Sequence, residues 1–259
     1  MAVQSQQVQK KHKRAPFLLV CLLLRIIHFI NHIYKHNKQL EIMEKYLIRP
    51  WVGKDYLNGG VFGKKVLVLG ESHYCHEVEQ GKCTGCCVEN MKEDCHSQTE
   101  DVIEEYLENY SGEPYQQTFL CFERALAGKE LSEQERNKLW NSVIFYNYFQ
   151  LNTTGPRKEP NENALKLSEE AFRNLLEEFL PDAIIVWGAR LFDKLPGWYG
   201  HSSALKVEDT TDIWHYNING KDIPAMLVHH PSSPSGKSWP FWHKFHIEFI
   251  GEPVFDINK

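Results

Sequence analysis

Four short apolar runs, each followed at once by polar residues, are the feature that most restricts the folds open to this chain. They cover residues 65–70 (KVLVLG), 143–148 (VIFYNY), 183–188 (AIIVWG) and 225–230 (AMLVHH). Because these runs are apolar almost without interruption and rich in β-branched residues, they indicate strands that are buried on both faces. Strands of that kind belong to parallel sheets that are covered by helices.

Helical patterns separate the predicted strands. Ser97 and Glu100 have the spacing of a capping box, which predicts a helix over residues 101–110. Ser168 opens a second helix that is expected to end near residue 180, just before a proline. A third helix is predicted over residues 239–250.

The order of these elements predicts an α/β protein. Strands that alternate with helices are joined by right-handed crossovers, which place helices on both sides of the sheet. We therefore expect three layers, α/β/α, around a central four-stranded parallel sheet. Asn219 and Gly220 form a strong hairpin signal between two apolar segments, and they predict an added antiparallel edge.

Polar and unusual residues follow all four predicted strands. The segments are Gly70-Glu-Ser-His-Tyr74, Asn147 to Gln150, Gly188-Ala-Arg190 and His230-Pro-Ser-Ser-Pro234. In open α/β sheets, ligands bind at the carboxyl ends of the strands. The four segments therefore predict one composite site at a single edge of the sheet.

Taken together, these segments resemble the motifs of the uracil-DNA glycosylase superfamily. Gly70-Glu-Ser-His-Tyr74 stands where that family has a water-activating motif such as GQDPYH or GxNPG, and Asn147 matches the family's base-reading Asn. Val186-Trp-Gly188 is similar to LLWG, and His230-Pro-Ser-Ser-Pro234 is similar to HPSP. The likeness spans about residues 65–235, and four weak motifs in the right order are more specific than any one of them.

The resemblance implies an enzyme that hydrolyses the N-glycosylic bond of uracil or another modified base in DNA. His230 would stabilise the anionic leaving base, and Asn147 would read its hydrogen-bonding edge. Glu71 or Ser72 would position the attacking water. A base inside DNA must be flipped out of the helix to reach such a pocket. Further contacts to the base are expected from Gly70, His73, Tyr74 and Ser232.

Ser72 is the main departure from the family pattern. It stands where the family has Asp or Asn, and a hydroxyl is a poor general base, whereas Glu71 matches the Glu of GEAPG-like motifs. Two other functions stay open: a non-catalytic protein that binds a nucleobase, nucleotide or single-stranded nucleic acid, and an enzyme that hydrolyses a small nucleoside. Asn147 and His230 also have structural interpretations, as a strand cap and as a satisfied histidine at a strand end.

Five of the seven Cys lie in one short stretch between residues 75 and 95. Cys83 and Cys86 have the spacing of a metal-binding knuckle, and Cys75 and Cys95 flank them. Four thiolates predict a tetrahedral zinc that orders this segment, whereas the iron–sulfur cluster of some uracil-DNA glycosylases has a different Cys distribution. The alternative is a loop of reduced thiols. Secreted, disulfide-stapled proteins usually spread their Cys along the chain, so the pattern favours a reducing cytoplasm.

The first 42 residues differ from the rest in charge. They hold seven Lys or Arg and one Glu, so the net charge of −5 for the whole chain becomes −11 for the remainder. A domain so acidic lacks the overall charge of a nucleic-acid binder, which leaves only a local basic patch to bind DNA. The apolar run at 17–24 ends at Arg25, is short for a membrane span and precedes no signal cleavage site. We expect residues 1–42 to be an upstream extension or a helical or disordered appendage to a domain over 43–259, with no stable membrane partner.

Overall fold

The computed structural model of the protein describes residues 45–74, 91, 93–153, 155, 157–233 and 238–255. The predicted extension, residues 1–42, lies outside them. Seven strands are described: β1 Trp51–Val52, β2 Val66–Gly70, β3 Val143–Asn147, β4 Ala183–Trp187, β5 His201–Lys206, β6 Thr210–Ile218 and β7 Lys221–Val228. They form one sheet in the spatial order β1-β3-β2-β4-β7-β6-β5.

The strands that correspond to the four apolar runs, β2, β3, β4 and β7, are neighbours in this sheet. β3 pairs with β2, β2 with β4, and β4 with β7, all in parallel. β2, β3 and β4 are buried at every residue, as their continuous apolar character predicts. β1, β5 and β6 pair antiparallel to their neighbours. The α/β class is therefore confirmed, but the sheet is mixed and has seven strands in place of the four parallel strands predicted.

The antiparallel part of the sheet is larger than the sequence indicates. Ile218 pairs with Lys221 across the turn, and Asn219 and Gly220 both have positive φ, at 52° and 81°. The predicted hairpin is thus confirmed, since a two-residue turn of this kind needs both central residues in the left-handed region. β5 is polar and exposed at almost every residue. No apolar pattern marks such a strand, and its position depends on pairing with β6.

Seven α-helices are described within these residues. They are α1 Glu93–His96, α2 Gln98–Glu108, α3 Pro114–Ala127, α4 Glu133–Trp140, α5 Glu162–Phe179, α6 Ala189–Phe192 and α7 Trp239–Ile250. The helix predicted from the spacing of Ser97 and Glu100 exists as α2, but the capping box does not form. The Ser97 hydroxyl donates to the carboxylate of Asp101 at 2.8 Å, while Glu100 accepts from Arg49 at 2.8 Å. A capping box forms instead at α4, between Ser132 and Glu135.

Helix α5 begins six residues before the predicted start at Ser168. Asn161 caps it by accepting a hydrogen bond from the N–H of Ala164 at 2.8 Å. Ser168 lies inside the helix and is buried, and its hydroxyl donates to the carbonyl of Ala164 at 2.6 Å. The same hydroxyl accepts from the N–H of Gln150 at 3.0 Å. Ser168 therefore joins α5 to the segment after β3, a role that a cap-like sequence pattern does not reveal.

The aromatic core on one face of the sheet supports the carboxyl ends of the strands. Trp187, at the end of β4, is 3% exposed and belongs to this core. Its ring centroid lies 4.8 Å from that of Phe122 and 5.1 Å from that of Phe145. Aromatic contacts of this kind are worth about 0.5–1.5 kcal/mol each beyond the area they bury. The core thus fixes the backbone from which the polar segments begin.

Candidate functional site

The carboxyl ends of β3, β2, β4 and β7 lie next to each other at one edge of the sheet. Gly70 at the end of β2 is in register with Asn147 at the end of β3. The N–H of Gly188, directly after β4, donates to the carbonyl of Val228 at the end of β7 at 2.7 Å. Parallel neighbours end at a common edge, so the four polar segments are brought together as the sequence predicts.

Gly70 and Asn147 meet so closely that only glycine fits at the first position. A Cβ added to Gly70 would lie 2.2 Å from Oδ1 of Asn147 and 3.2 Å from the ring of Phe145. The lack of a side chain at Gly70 therefore makes room for the Asn147 amide. Asn147 itself is 8% exposed.

His73 is the buried partner of that amide. Its Nε2 lies 2.9 Å from Nδ2 of Asn147 and 2.8 Å from Oγ1 of Thr99. Because an amide nitrogen can only donate, Nε2 accepts and the imidazole carries its proton on Nδ1. Burial lowers the pKa of His73 to about 4, so the ring is neutral at physiological pH. His73, Thr99 and Asn147 are referred to below as the β2–β3 end.

Backbone hydrogen bonds hold the segment after β2 against the segment after β3. The N–H of Tyr148 donates to the carbonyl of Gly70 at 2.9 Å, and the N–H of Thr153 donates to the carbonyl of His73 at 3.0 Å. Tyr74 and Thr153 also form an isolated parallel bridge. The two segments therefore continue the sheet beyond its last regular pair.

Ser72 and Tyr74 lie at the outer surface of this segment. The Ser72 hydroxyl is 3.4 Å from that of Thr153, which is a long hydrogen bond. Tyr74 is 44% exposed, and burial of the rest of its ring raises the pKa of its phenol. Both side chains are open to a molecule that approaches the sheet edge.

Glu71 is held by an arginine that follows β4. The Glu71 carboxylate forms an ion pair with Arg190, whose second terminal nitrogen also contacts Glu159 at 3.2 Å. Lys194 extends the network by pairing with Glu159 at 2.5 Å. Side-chain exposure is 18% for Glu71 and 28% for Arg190, so water screens this pair only in part. Arg190 thus fixes the direction of a carboxylate that the sequence assigns to water positioning.

His230 occupies the corresponding place after β7. Its Nδ1 lies 2.9 Å from the Ser232 hydroxyl and 3.4 Å from the Ser232 backbone N–H. Since a backbone N–H only donates, Nδ1 accepts and the proton of the neutral ring is on Nε2. Burial lowers the pKa of His230, and the positive charge of Arg157 lowers it further. His230 and Ser232 are referred to below as the β7 end.

Trp187 supports the His230 ring from below, edge to face, at a centroid distance of 5.9 Å. A cavity of about 210 Å³ lies beside His230, between the end of β7 and helices α3 and α7. This volume is below that of drug-sized pockets and fits a small ligand. The neighbouring His229 is exposed, and its ring lies 5.0 Å from that of Trp242. The cavity is lined by Cys121, Phe122, Ala125, Val228, His229, His230, Pro231, Ser233, Ser238, Trp239, Trp242 and His246.

Three of the four predicted zinc ligands, Cys75, Cys83 and Cys86, lie outside the described residues, and the zinc site therefore stays a prediction. The fourth, Cys95, lies in α1 and is partly buried. Two histidines near this segment are engaged elsewhere: His73 as described, and His96 through a hydrogen bond between its Nδ1 and the carbonyl of Leu47.

Four residues near this edge make contacts that the sequence does not predict. Thr99 belongs to a helix first turn, and Thr153 lies in a loop six residues after Asn147. Arg190 stands in the third polar segment, but its pairing with Glu71 depends on the order of β2 and β4 in the sheet. Arg157 is exposed, has φ of 58°, and its charge reaches His230. Each of these relations joins parts of the chain that are distant in sequence.

Among the described residues, no helix is both long enough and apolar enough to cross a membrane. No protein-family model matches the chain, and no curated protein matches it either.

Proposed function

We propose that the protein is an N-glycosylic bond hydrolase that removes uracil or another modified base from DNA, in a reducing cytoplasm. The proposed architecture is the three-layer α/β/α fold of the uracil-DNA glycosylases. The four neighbouring parallel strands support it, with β1 and the β5–β6 pair as additions at the two edges. Polar segments at the carboxyl ends of all four parallel strands support a ligand site there.

The observation that carries this proposal is the state of His230. Its ring is neutral, and its Nδ1 accepts from Ser232, so Nε2 presents an N–H group. Cleavage of an N-glycosylic bond leaves negative charge on the departing base. A fixed N–H donor directed at that charge stabilises the transition state, and one such donor is typically worth about 10²–10³ in rate. His230 thus has the protonation that a leaving-base stabiliser needs.

Asn147 is the proposed base-reading residue. One N–H of its amide is used by His73, which leaves the second N–H and Oδ1 for a ligand. The His73 contact also determines which way the amide faces, because Nε2 accepts only from the nitrogen. Gly70, His73, Tyr74 and Ser232 complete the proposed base site: Gly70 gives space, His73 orients the amide, and Tyr74 and Ser232 lie at the rim.

Water positioning is assigned to Glu71 and Ser72. Arg190 occupies one side of the Glu71 carboxylate, and the remaining oxygen is available to accept from a water molecule. The Ser72 hydroxyl, which is 3.4 Å from that of Thr153 and also interacts with the phenol of Tyr74, is the second proposed contact to that water.

The test is release of free base from single- and double-stranded oligonucleotides that carry uracil, hypoxanthine or xanthine. We expect His230→Ala to lower the rate about 10²–10³-fold, because it removes the N–H donor. His201→Ala is the matched control, since it removes an exposed histidine on the edge strand β5, away from this site, and it should keep the wild-type rate. Absence of base release from every substrate by folded wild-type protein would contradict the proposal.

A second candidate is a non-catalytic protein that binds a nucleobase or a nucleotide at the same edge. The Glu71–Arg190 pair favours it, because Arg190 occupies a carboxylate oxygen that would otherwise be open to water. The net charge of −5 also favours a small ligand over DNA. Titration of the wild-type protein with uracil and with deoxyuridine monophosphate, followed by Trp fluorescence, separates the two candidates. Saturable binding of either without base release supports the binding protein.

A further inference from the structure

Three strands of the antiparallel part of the sheet bring two histidines and an aspartate to one exposed face. His201 on β5 is the register partner of His215 on β6. Asp222 on β7 pairs with Asn217, two residues along β6 from His215, which makes Asp222 the diagonal neighbour of His215. His201 and Asp222 are exposed, and His215 is partly buried. Side chains alternate between faces along a strand, so all three share one face.

The ligand atoms of these side chains are close enough to converge on one ion. One nitrogen of each histidine and one carboxylate oxygen all lie within 4.8 Å of one another. In a tetrahedral zinc site, bonds of about 2.0–2.1 Å place the ligand atoms about 3.4 Å apart. The rings of His201 and His215 are stacked, with centroids 4.5 Å apart and planes 10° from parallel. Rotation of the exposed His201 ring about its side-chain bonds is enough to turn its nitrogen toward the other two groups.

The hydrogen bonds of His215 show how an ion would be accommodated. Its Nδ1 is 2.9 Å from Oδ2 of Asp222, and its Nε2 is 2.7 Å from the Ser203 hydroxyl. Either atom of the Nε2–Ser203 pair can be the donor, and when Nε2–H donates to Ser203 the Nδ1 lone pair faces Asp222 and is the ligand atom for a metal ion. An outer hydrogen bond that fixes the tautomer in this way is the usual support of a metal-binding histidine.

We propose that His201, His215 and Asp222 form a binding site for a divalent transition metal of the zinc type, with Ser203 orienting His215. Two imidazole nitrogens and one carboxylate are a ligand set that suits zinc, nickel and copper, and water completes the coordination. The ion binds Nδ1 of His215 and Asp222 in place of the hydrogen bond between them, and the ring proton of His215 then lies on Nε2 and is donated to Ser203. Because the ligands come from β5, β6 and β7, the bound metal links three strands. This site is independent of the carboxyl edge of the sheet and of the proposed glycosylase.

The experiment is a calorimetric titration of the full-length, tag-free protein with Zn²⁺. We expect His201→Ala to lose one zinc equivalent relative to wild type, whereas His229→Ala, an exposed histidine elsewhere, keeps it. Ser203→Ala should bind at that site about tenfold more weakly, as expected for loss of an outer hydrogen bond. Equal stoichiometry and affinity in wild type and His201→Ala would overturn the proposal. Since His201 is exposed at a sheet edge, its replacement leaves the core intact, and circular dichroism checks this.

Absorption spectra with Co²⁺ distinguish this site from any metal bound by the Cys-rich segment. Cobalt bound to thiolates gives intense sulfur-to-metal charge-transfer bands, which a nitrogen and oxygen site lacks. We expect His201→Ala and Asp222→Asn to lose only weak visible bands, while any charge-transfer band is unchanged. A variant with Ser at Cys75, Cys83, Cys86 and Cys95 should keep the weak bands. Loss of those bands in a folded form of that variant would show that thiolates bind the metal, which contradicts the proposal.

Discussion

The two ends of the candidate site differ in how their polar groups are used. At the β2–β3 end, His73, Thr99 and Asn147 are buried and bonded mainly to one another. At the β7 end, His230 is partly buried, and its imidazole Nδ1 accepts from Ser232, two residues away. Buried polar groups must satisfy each other, because an unpaired one costs about 1–3 kcal/mol. The comparison shows that the polar groups of the first end join distant parts of the chain, whereas those of the second end are hydrogen-bonded within one short segment.

The largest effect expected from this difference is on the pH dependence of stability. The pKa of His73 is about 4 in the folded protein, below its usual value of 6.5, so the unfolded chain takes up the proton more readily. The stabilisation is complete above pH 6.5 and is lost as the pH falls toward 4, by about 3 kcal/mol in all. His73→Gln keeps a hydrogen-bonding side chain that does not titrate. Its free energy of unfolding, measured by urea denaturation, should fall less steeply over this pH range than that of wild type.

His246 is also buried with a lowered pKa, of about 3, and it contributes to the same pH range in both proteins. The difference between His73→Gln and wild type therefore isolates His73. If the pH profiles of the two proteins are parallel, burial does not lower the pKa of His73. That result would contradict the difference between the β2–β3 end and the β7 end.

A smaller effect is expected from truncation of the amide at the β2–β3 end. Asn147→Ala removes the donor to His73 Nε2 and leaves space beside Gly70, so we expect a loss of about 1–3 kcal/mol in the free energy of unfolding. Ser232→Ala, at the β7 end, should change stability by less than about 0.5 kcal/mol because Ser232 is exposed. Denaturation of both variants at pH 7.5 measures the difference directly. Equal losses of unfolding free energy in Asn147→Ala and Ser232→Ala would contradict the difference between the β2–β3 end and the β7 end.

The smallest effect is expected on activity, from the same Ser232→Ala change. The Ser232 backbone N–H still donates to Nδ1 of His230, although at 3.4 Å it is a weaker partner than the hydroxyl. The Nε2–H tautomer is therefore kept in most molecules. We expect the rate of base release to fall by less than about tenfold, or about 1.4 kcal/mol. A loss as large as that of His230→Ala would mean that the Ser232 hydroxyl contacts the substrate itself.

Much of the fold can be predicted from local pattern. The continuous apolar runs identify β2, β3 and β4, because strands buried on both faces have no polar positions, whereas the fourth run covers only the last four residues of the partly exposed β7. The turn at Asn219 and Gly220 is equally local, since its geometry requires residues that tolerate positive φ. The start of α5 and the capping at Ser97 are not predictable in this way. Ser168 and Glu100 form hydrogen bonds with residues distant in the chain instead of the capping contacts that their local pattern predicts.

The sequence by itself determined the buried strands β2, β3 and β4, the hairpin and the polar residues at the strand ends, because each of these depends on residues close together in the chain. The tertiary structure alone decided which polar groups meet. The Glu71–Arg190 pair needs β2 and β4 side by side, and the Asn147–His73 bond needs β3 beside β2. The His201–His215–Asp222 cluster likewise depends on the register of three strands. Such contacts follow from strand order and register, which depend on the balance of burial over the whole domain.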